Sequence, residues 1–341
     1  MKVATLYSFN DIRIEDIPIP EIGRGDALLK TKASGICSGD IMAWYIEKKA
    51  PLVLGHEPSG EIIEAGSDIT SFKKGDRVFV HHHAPCFICR YCKRGDYVQC
   101  ETWKNTKIIP GGISEYILIP ETNLKNDTLH LPDNLCYEDG TLIEPAACVV
   151  KALKRANIRR GDIVLIIGLG VMGQLNILLA RTYGADKIIG ADMVPFRLEK
   201  AKEFGADEVI DVSKENLIGC LKKVTDGAMA DLVIVGPNSV DAMRQGISAT
   251  GAGGKVLFFT PAKLGELLTI EPNDLYFRDI NIITSYSCGP TDTADALELI
   301  EQGIVRAEKL ITHRFPIEET AEAFRMTAEA RDSLKSLIVF D

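Results

Sequence analysis

The sequence lacks any apolar run long enough to cross a membrane. A spanning helix needs about 18 uninterrupted apolar residues, and no stretch of this chain approaches that length. The N-terminal segment MKVATLYSFNDIRIEDIPIP alternates apolar and charged residues and has no apolar core of the signal-peptide kind. We therefore expect neither a membrane span nor an export signal, and the cytoplasm is the expected compartment.

Positive charge is scarce relative to negative charge. The chain carries 39 Lys and Arg against 48 Asp and Glu, which gives a formal net charge of −9. This balance argues against the phosphate backbone of a nucleic acid as a partner, and it argues equally against an anionic membrane surface. The expected partner is a small-molecule substrate.

The chain also lacks an internal repeat of solenoid period, and its 341 residues suit two domains better than one. Short strand-like segments broken by Gly and Pro predict a mainly β first domain. From Asp162 onwards, strand–helix alternation predicts six parallel strands in a doubly wound α/β sheet. A helix at Thr291–Gln302 and a closing strand at Ser336–Phe340 are expected to return to the first domain. The predicted domains are residues 1–150 with 289–341, and residues 151–288.

Nine cysteines, an odd number, in a chain without an export signal are expected to be thiols or metal ligands. The segment CFICRYCKRGDYVQC has the spacing Cys-x2-Cys-x2-Cys-x7-Cys, at Cys86, Cys89, Cys92 and Cys100. Four thiolates so close along the chain can converge on one tetrahedral ion, which predicts a structural zinc site. An iron–sulfur cluster and a set of free thiols are the alternatives. Four other cysteines are interpreted as small buried hydrophobes: Cys136, Cys148, Cys220 and Cys288.

A second set of metal-ligand residue types is spread along the first domain. Cys37, His56 with Glu57, and Glu144 each lie beside a Gly or Pro turn residue. Taken alone, a Cys or His is usually a satisfied core residue, and a Glu usually lies on the surface. The mixture of thiolate, imidazole and carboxylate suits a catalytic zinc that keeps one position open. Spacing alone does not decide between these interpretations.

A glycine-rich loop marks the start of the second domain. The segment IVLIIGLGVMG runs a β-branched strand into Gly168-x-Gly170-x-x-Gly173, and a helical pattern follows. Glycines at these positions allow a tight turn and close approach of the backbone to a pyrophosphate at a helix N-terminus. The remaining loop positions, Val171 and Met172, are included in the predicted cofactor site.

An acidic residue at the end of the next strand completes the predicted dinucleotide site. Asp192 can accept hydrogen bonds from the adenosine ribose and would repel a 2′-phosphate, which favours NAD over NADP. Arg197 lies close enough along the chain to soften this preference. The alternative interpretation of Asp192 is a helix-capping or turn residue.

Taken in order, these motifs resemble the zinc-containing medium-chain dehydrogenase/reductase family, and in particular its sorbitol (polyol) and threonine dehydrogenase branch. The resemblance covers essentially the whole chain. Its motifs are GICSGD, GHEPSGEIIEAG, GDRV, GGISEY, EPAACVVKAL, GLGVMG and ITHRFPIEETAEAF. It implies a GroES-like, mainly β catalytic domain with a Rossmann cofactor domain. It also implies two zinc ions per chain, and a homodimer or homotetramer.

The family pattern implies roles for individual residues. Cys37, His56 and Glu57 match the catalytic zinc ligands, and Glu144 matches a glutamate that approaches the metal directly or through water. Where the family usually has a hydroxyl residue that relays the substrate proton, this chain has Gly39. Ser38, or a water held by Glu144, is the expected replacement.

The implied activity is hydride transfer between the secondary alcohol of a polyol or sugar-like substrate and NAD. The main alternative is an L-threonine 3-dehydrogenase or another secondary-alcohol dehydrogenase of the family. Met42 weakens the threonine alternative, because threonine dehydrogenases tend to have a histidine at that point. A family member that has lost catalysis and a zinc-ribbon-like module that contacts nucleic acid are the weaker alternatives.

Two further features of the first domain are open to interpretation. The consecutive histidines His81–His83 follow a strand, and successive strand residues point to opposite faces. They are therefore interpreted as a polar edge and not as one metal site. Trp44 and Tyr45 either line the substrate pocket or belong to the core.

Overall fold

A computed structural model describes the chain over residues 1–341. The chain divides into two compact units, and each is described by itself. Unit 1 comprises Met1–Ala147 and Cys288–Asp341, and unit 2 comprises Cys148–Ser287.

Sixteen strands and thirteen α-helices form the two units. The strands are β1 Lys2–Ser8, β2 Asp11–Asp16, β3 Ala27–Gly35, β4 Leu52–Val53, β5 Glu57–Ala65, β6 Arg77–Val80, β7 Tyr116–Ile119, β8 Thr128–His130, β9 Ile163–Ile167, β10 Lys187–Asp192, β11 Glu208–Asp211, β12 Ala230–Val235, β13 Thr250–Phe258, β14 Asn281–Thr284, β15 Ile311–Pro316 and β16 Lys335–Val339. The helices are α1 Ala43–Ile46, α2 Glu101–Asn105, α3 Glu121–Asn126, α4 Tyr137–Gly140, α5 Ile143–Ala156, α6 Val171–Ala180, α7 Pro195–Glu203, α8 Leu217–Val224, α9 Val240–Ala249, α10 Pro272–Phe277, α11 Pro290–Glu301, α12 Ala307–Leu310 and α13 Thr320–Glu329.

Unit 1 is built on a seven-stranded sheet with the order β15-β16-β3-β5-β6-β8, and β7 pairs with β3 off this path. A smaller sheet has the order β2-β1-β4. Strand β16, near the end of the chain, pairs antiparallel with β3 near its start, with Ile338 opposite Ser34. The last strands of the sequence therefore complete the sheet that the first strands begin.

Unit 2 is a six-stranded sheet with the order β11-β10-β9-β12-β13-β14. All of its pairs are parallel, which confirms the predicted doubly wound sheet. Its central strand β9 is buried from Val164 to Ile167, as expected for a parallel sheet covered on both faces. The strand order reverses between β9 and β12, and the glycine-rich loop leaves the carboxyl end of β9 at this point.

No helix of the structure is both long and apolar enough to cross a membrane.

The contribution of β16 to unit 1 can be tested by truncating its core side chain. Ile338 is fully buried in an apolar cluster with Phe324 and Ile36. Ile338→Ala is expected to lower the free energy of unfolding by about 2–5 kcal/mol, because it removes buried methyl groups and leaves a cavity. Ile19→Ala, at a side chain that is 47% exposed, is the matched control and is expected to cost roughly 0.5 kcal/mol or less. Urea unfolding followed by fluorescence and circular dichroism measures both; equal losses would contradict the packing of β16 in this core.

Candidate metal and cofactor sites

The four spaced cysteines converge in one lobe of unit 1. The Sγ atoms of Cys89 and Cys92 lie 3.5 Å apart, those of Cys86 and Cys100 3.6 Å, and those of Cys86 and Cys92 4.0 Å. All four ligand atoms lie within 4.8 Å of one another. The arrangement fits a closed tetrahedral zinc site, in which ligands bound about 2.3 Å from the metal are separated by roughly 3.8 Å.

Backbone groups and a small apolar core support this cysteine lobe. The N–H groups of Cys86 and Cys92 donate to the sulfurs of Cys100 and Cys89, each at 3.5 Å. Burial and hydrogen bonds to neighbouring thiols raise the pKa of Cys92 to about 12. Burial opposes ionisation of Cys100 as well, but backbone N–H groups outweigh it and lower the pKa of Cys100 to about 6. The buried Trp103 packs in the same small apolar cluster as the four cysteines.

A second cluster brings together Cys37, His56 and Glu57, whose ligand atoms lie within 4.8 Å of one another. The register of two antiparallel strands explains the convergence, because Gly35 at the end of β3 lies opposite Glu57 at the start of β5. Cys37 follows the first of these strands and His56 precedes the second. Residues far apart in sequence are thus placed at one end of the same strand pair.

Glu57 forms a buried ion pair with a lysine that the sequence analysis did not identify. The Nζ of Lys335, on β16, donates to Glu57 Oε2 and also to the backbone oxygen of Ile36, the latter at 3.0 Å. Both charged side chains are 1% exposed. Gly35 makes room for the pair, because a Cβ there would lie 1.9 Å from Glu57 Oε2. The predicted closing strand begins at Ser336 and leaves Lys335 out, and the structure adds this lysine as the first residue of β16.

The charges of the second cluster favour a cation. Burial raises the pKa of Cys37 and of Asp40, since both lose solvation as anions. Burial opposes a charge on His56, but Asp40 and Cys37 outweigh it and raise the pKa of His56 well above its usual value. Asp40 Oδ2 lies 3.4 Å from His56 Nδ1, and Glu57 Oε1 is buried without a hydrogen-bond partner. A divalent metal ion would satisfy that oxygen, so these residues fit a zinc ion.

Glu144 belongs to a different cluster in the structure. It lies in the first turn of α5, and its carboxylate lies within 4.8 Å of the ligand atoms of His81 and Cys288. Its charge also contributes to the raised pKa of His56, so it acts electrostatically on the second cluster. The direct or water-mediated approach of Glu144 to a catalytic metal stays a prediction.

The three consecutive histidines have separate environments. His81 is fully buried, so the prediction of a polar edge is wrong for this residue. His82 lies against His56, with ring centroids 4.8 Å apart, and burial lowers the pKa of His82 well below its usual value. His83 lies against Trp103, and burial lowers its pKa to about 4. Neighbouring rings lie close together, with centroids 5.0 Å apart for His81 and His82 and 4.1 Å apart for His82 and His83. Only His81 is buried, whereas His82 and His83 are partly exposed.

The remaining residues singled out from the sequence lie outside these clusters. Ser38 is exposed beside Cys37, and its role as a proton relay stays a prediction. Trp44 and Tyr45 are half-buried, with the ammonium groups of Lys48 and Lys49 near their rings. Cys136 is exposed and donates to Asp139, so its interpretation as a buried hydrophobe is wrong. Cys148 and Cys220 are only partly buried.

The glycine-rich loop of unit 2 is shaped for close backbone approach. Gly168 follows β9 with a φ of 86°, and α6 begins directly after Gly170. A Cβ at Gly173 would lie 2.1 Å from the backbone oxygen of Gly168, so only glycine permits this packing of helix on strand. The loop therefore presents the N-terminus of a ten-residue helix, at Val171 and Met172, as the predicted pyrophosphate site.

Asp192 organises the neighbouring turn. Its Oδ2 accepts from the N–H of Leu169 at 2.6 Å, and its Oδ1 accepts from the N–H groups of Met193 and Val194 at 2.7 and 2.9 Å. Arg197 lies beside it, with 3.6 Å between its NH1 and Asp192 Oδ2. A carboxylate and a guanidinium thus stand together at the end of β10, where the sequence predicts the adenosine ribose.

The cysteine lobe yields a test of the structural zinc site. Cys92→Ser is expected to lower the zinc content by one ion per chain and to lower the melting temperature, because a buried tetrahedral site with three thiolates no longer closes. Elemental analysis and thermal unfolding measure the two effects. Cys220→Ser is the matched control, because this partly buried thiol lies outside all three groups of metal-ligand residues. An unchanged zinc content in Cys92→Ser would rule out the site.

Comparisons with known proteins place the chain in a family. Residues 23–133 match the alcohol dehydrogenase GroES-like domain, and residues 171–302 match the zinc-binding dehydrogenase domain. A sorbitol dehydrogenase of Bombyx mori is 32% identical over 349 residues, which cover 98% of this chain and 97% of the relative. An L-threonine 3-dehydrogenase of Rhizobium etli is 32% identical over 320 residues, with 91% and 90% covered.

The fold agrees with these relatives. The crystal structure of a zinc-binding dehydrogenase from Sinorhizobium meliloti, bound to NADP, superposes with a TM-score of 0.89 at 28% identity, covering 99% of both chains. The matches extend over both units and include the segments that carry the clusters and the glycine-rich loop. The chain therefore belongs to the zinc-dependent medium-chain alcohol dehydrogenase family.

Proposed function

We propose that this dehydrogenase transfers a hydride between the secondary alcohol of a polyol or sugar-like substrate and a nicotinamide dinucleotide, with NAD favoured. The observation that carries the proposal is the convergence of Cys37, His56 and Glu57 in unit 1 of a family member. The similarity to sorbitol dehydrogenases over nearly the whole chain supports a polyol as substrate.

The residues of the second cluster have complementary tasks. A bound zinc ion would supply Lewis acidity that lowers the pKa of a substrate hydroxyl. Cys37, His56 and Glu57 would hold this ion and leave a fourth position open. Lys335 fixes the Glu57 carboxylate. Asp40, whose Oδ2 lies 3.4 Å from His56 Nδ1, stabilises a positive charge on His56. Ser38, exposed next to Cys37, would pass the substrate proton to solvent, and Glu144 would approach the metal directly or through water.

A second candidate is oxidation of L-threonine. The Rhizobium etli relative favours it, because it is named an L-threonine 3-dehydrogenase and shares 32% of its residues with this chain. Both candidates use the same clusters and the same cofactor loop. They differ in the polar group beside the reacting carbon.

The substrate proposal is tested by reduced-nicotinamide formation with zinc-replete enzyme and NAD. The panel comprises sorbitol, xylitol, other sugar alcohols, 2,3-butanediol and L-threonine. We expect the highest kcat/KM with a polyol, and loss of turnover on chelation. Turnover confined to L-threonine would overturn the polyol proposal and support the second candidate. No turnover of any secondary alcohol would overturn both.

Cys37→Ser connects this activity to the second cluster. The variant is expected to lose one zinc ion per chain and at least about a hundredfold in kcat/KM, because the hydroxyl of serine is a much poorer zinc ligand than a thiolate. NAD binding, measured by quenching of protein fluorescence, is expected to persist because the glycine-rich loop is unchanged. Cys220→Ser serves as the control. Full activity in Cys37→Ser would contradict the role of this cysteine.

The dinucleotide would bind unit 2 at Gly168, Gly170 and Gly173, with its pyrophosphate at the N-terminus of α6. Asp192 would accept from the ribose hydroxyls, since a carboxylate has acceptor sites beyond those used by the backbone N–H groups. Its negative charge disfavours a 2′-phosphate, whereas the adjacent Arg197 attracts one. NADP is therefore the weaker expectation but an accessible one.

The variant Arg197→Ala tests the contribution of the arginine to cofactor preference separately from that of Asp192. Removing the guanidinium is expected to raise the KM for NADP about tenfold, because one charged contact to the 2′-phosphate is lost, while the KM for NAD changes little. Arg244→Ala, at an exposed arginine of the same unit, should alter neither value. An equal rise in the KM for NAD and for NADP would show that Arg197 does not contact the 2′-phosphate.

The proposed assembly is a homodimer or homotetramer formed through unit 2. Its edge strand β14 is largely exposed, and large apolar side chains lie exposed near it in sequence, including Leu267, Tyr276 and Phe277. Exposed apolar side chains next to an unpaired strand edge favour association with another copy.

A further inference from the structure

We infer that His81, Cys288 and Glu144 form a third metal site in unit 1, for a zinc-type divalent cation. This site is separate from the structural site and from the cluster of Cys37, His56 and Glu57, and it would compete with that cluster for the Glu144 carboxylate of the proposed function. The three side chains come from separate parts of the sequence: the segment after β6, the segment before α11, and the first turn of α5. Their ligand atoms lie within 4.8 Å of one another, and no role in the proposed reaction accounts for His81 or Cys288.

The distance between the two soft ligands fits a shared metal ion. His81 Nε2 and Cys288 Sγ are separated by 3.7 Å. A nitrogen about 2.1 Å and a sulfur about 2.3 Å from one zinc ion, at the tetrahedral angle, lie roughly 3.6 Å apart. The thiol proton of Cys288 leaves to solvent as the metal binds, as for any cysteine ligand.

The imidazole of His81 is oriented as in histidine metal sites. Its Nδ1 is 2.6 Å from Asp127 Oδ2, and the other carboxylate oxygen of Asp127 accepts from Thr293 Oγ1, also at 2.6 Å. A carboxylate that receives the Nδ1 proton directs the Nε2 lone pair at a metal and strengthens it as a ligand. In this structure, Nε2 lies 3.7 Å from Cys288 Sγ, and a carboxylate oxygen of Glu144 lies within 4.8 Å of both ligand atoms.

The burial of this cluster makes its charged groups costly in free energy unless a cation is bound. His81 and Cys288 are fully inaccessible and Glu144 is 5% exposed, while Asp127 adds a second carboxylate from behind the histidine. The imidazole of His81 can carry at most one positive charge, so within the cluster the two carboxylates favour a further positive charge. A divalent ion supplies that charge and uses all three ligand atoms. With three protein ligands it also keeps one coordination position for water.

The test is the number of zinc ions per chain, measured by elemental analysis after zinc loading and exhaustive dialysis. We expect three ions in the unaltered enzyme, two in Cys288→Ala, two in His81→Asn, and three in the matched control Cys148→Ser. Cys288→Asp, which restores an anionic ligand of similar size, is expected to bring the third ion back. Two variants at different positions keep the test valid if one of them fails to fold.

A second measurement identifies the ligands directly. Loading with Co²⁺ in place of zinc should give thiolate-to-metal charge-transfer absorption that falls in Cys288→Ala and stays unchanged in Cys148→Ser. Cys37→Ser should remove a different ion, so the double variant Cys37→Ser/Cys288→Ala should retain only one. A count of two in the unaltered enzyme that falls only with Cys37 or the cysteine lobe would overturn the third site while leaving the proposed function intact. A count that falls with Cys288 but not with Cys37 would overturn the second cluster instead.

Discussion

The antiparallel pairing of β3 with β5 is the constraint that brings Cys37, His56 and Glu57 together in unit 1. It sets Gly35 opposite Glu57, which brings the residue after one strand and the residue before the next to the same end of the sheet. A slip of one residue would turn the Glu57 carboxylate to the other face. Strand β16 pairs on the other side of β3, and through Lys335 it supplies the cation that holds this carboxylate in place.

Compensation of buried charge explains much of what lies around that strand pair. Glu57 is paired with Lys335, His56 with Asp40, and His81 with Asp127. Two of these pairs leave a second group turned inwards: an unpartnered oxygen of Glu57 in the first pair, and the Nε2 of His81 in the third. Because an uncompensated buried charge is costly, positions of this kind favour metal ions. In the cysteine lobe, backbone N–H groups close in sequence stabilise the negative charge of the thiolates.

Motifs that are short in sequence could be predicted, and those that depend on long-range pairing could not. The four cysteines of the lobe span few residues, and the glycine-rich loop joins one strand directly to one helix, so local geometry determines both. Lys335 was missed because its partner lies 278 positions away. Cys288 was read as a small buried hydrophobe, and its burial is real, but its neighbour His81 comes from a strand end far away in the chain.

The sequence by itself determined the doubly wound sheet of unit 2, the cysteine lobe and the glycine-rich loop, because these follow from periodicity and from residue types at short spacing. Its ordered motifs carried the resemblance to the family. Only the tertiary structure decided which distant side chains share a cluster. It joined Glu144 to His81 and Cys288, and it buried His81, which a strand pattern alone would leave at an edge. The physical reason is that strand register and packing between elements set these distances. Neither quantity is encoded in any one local stretch of residues.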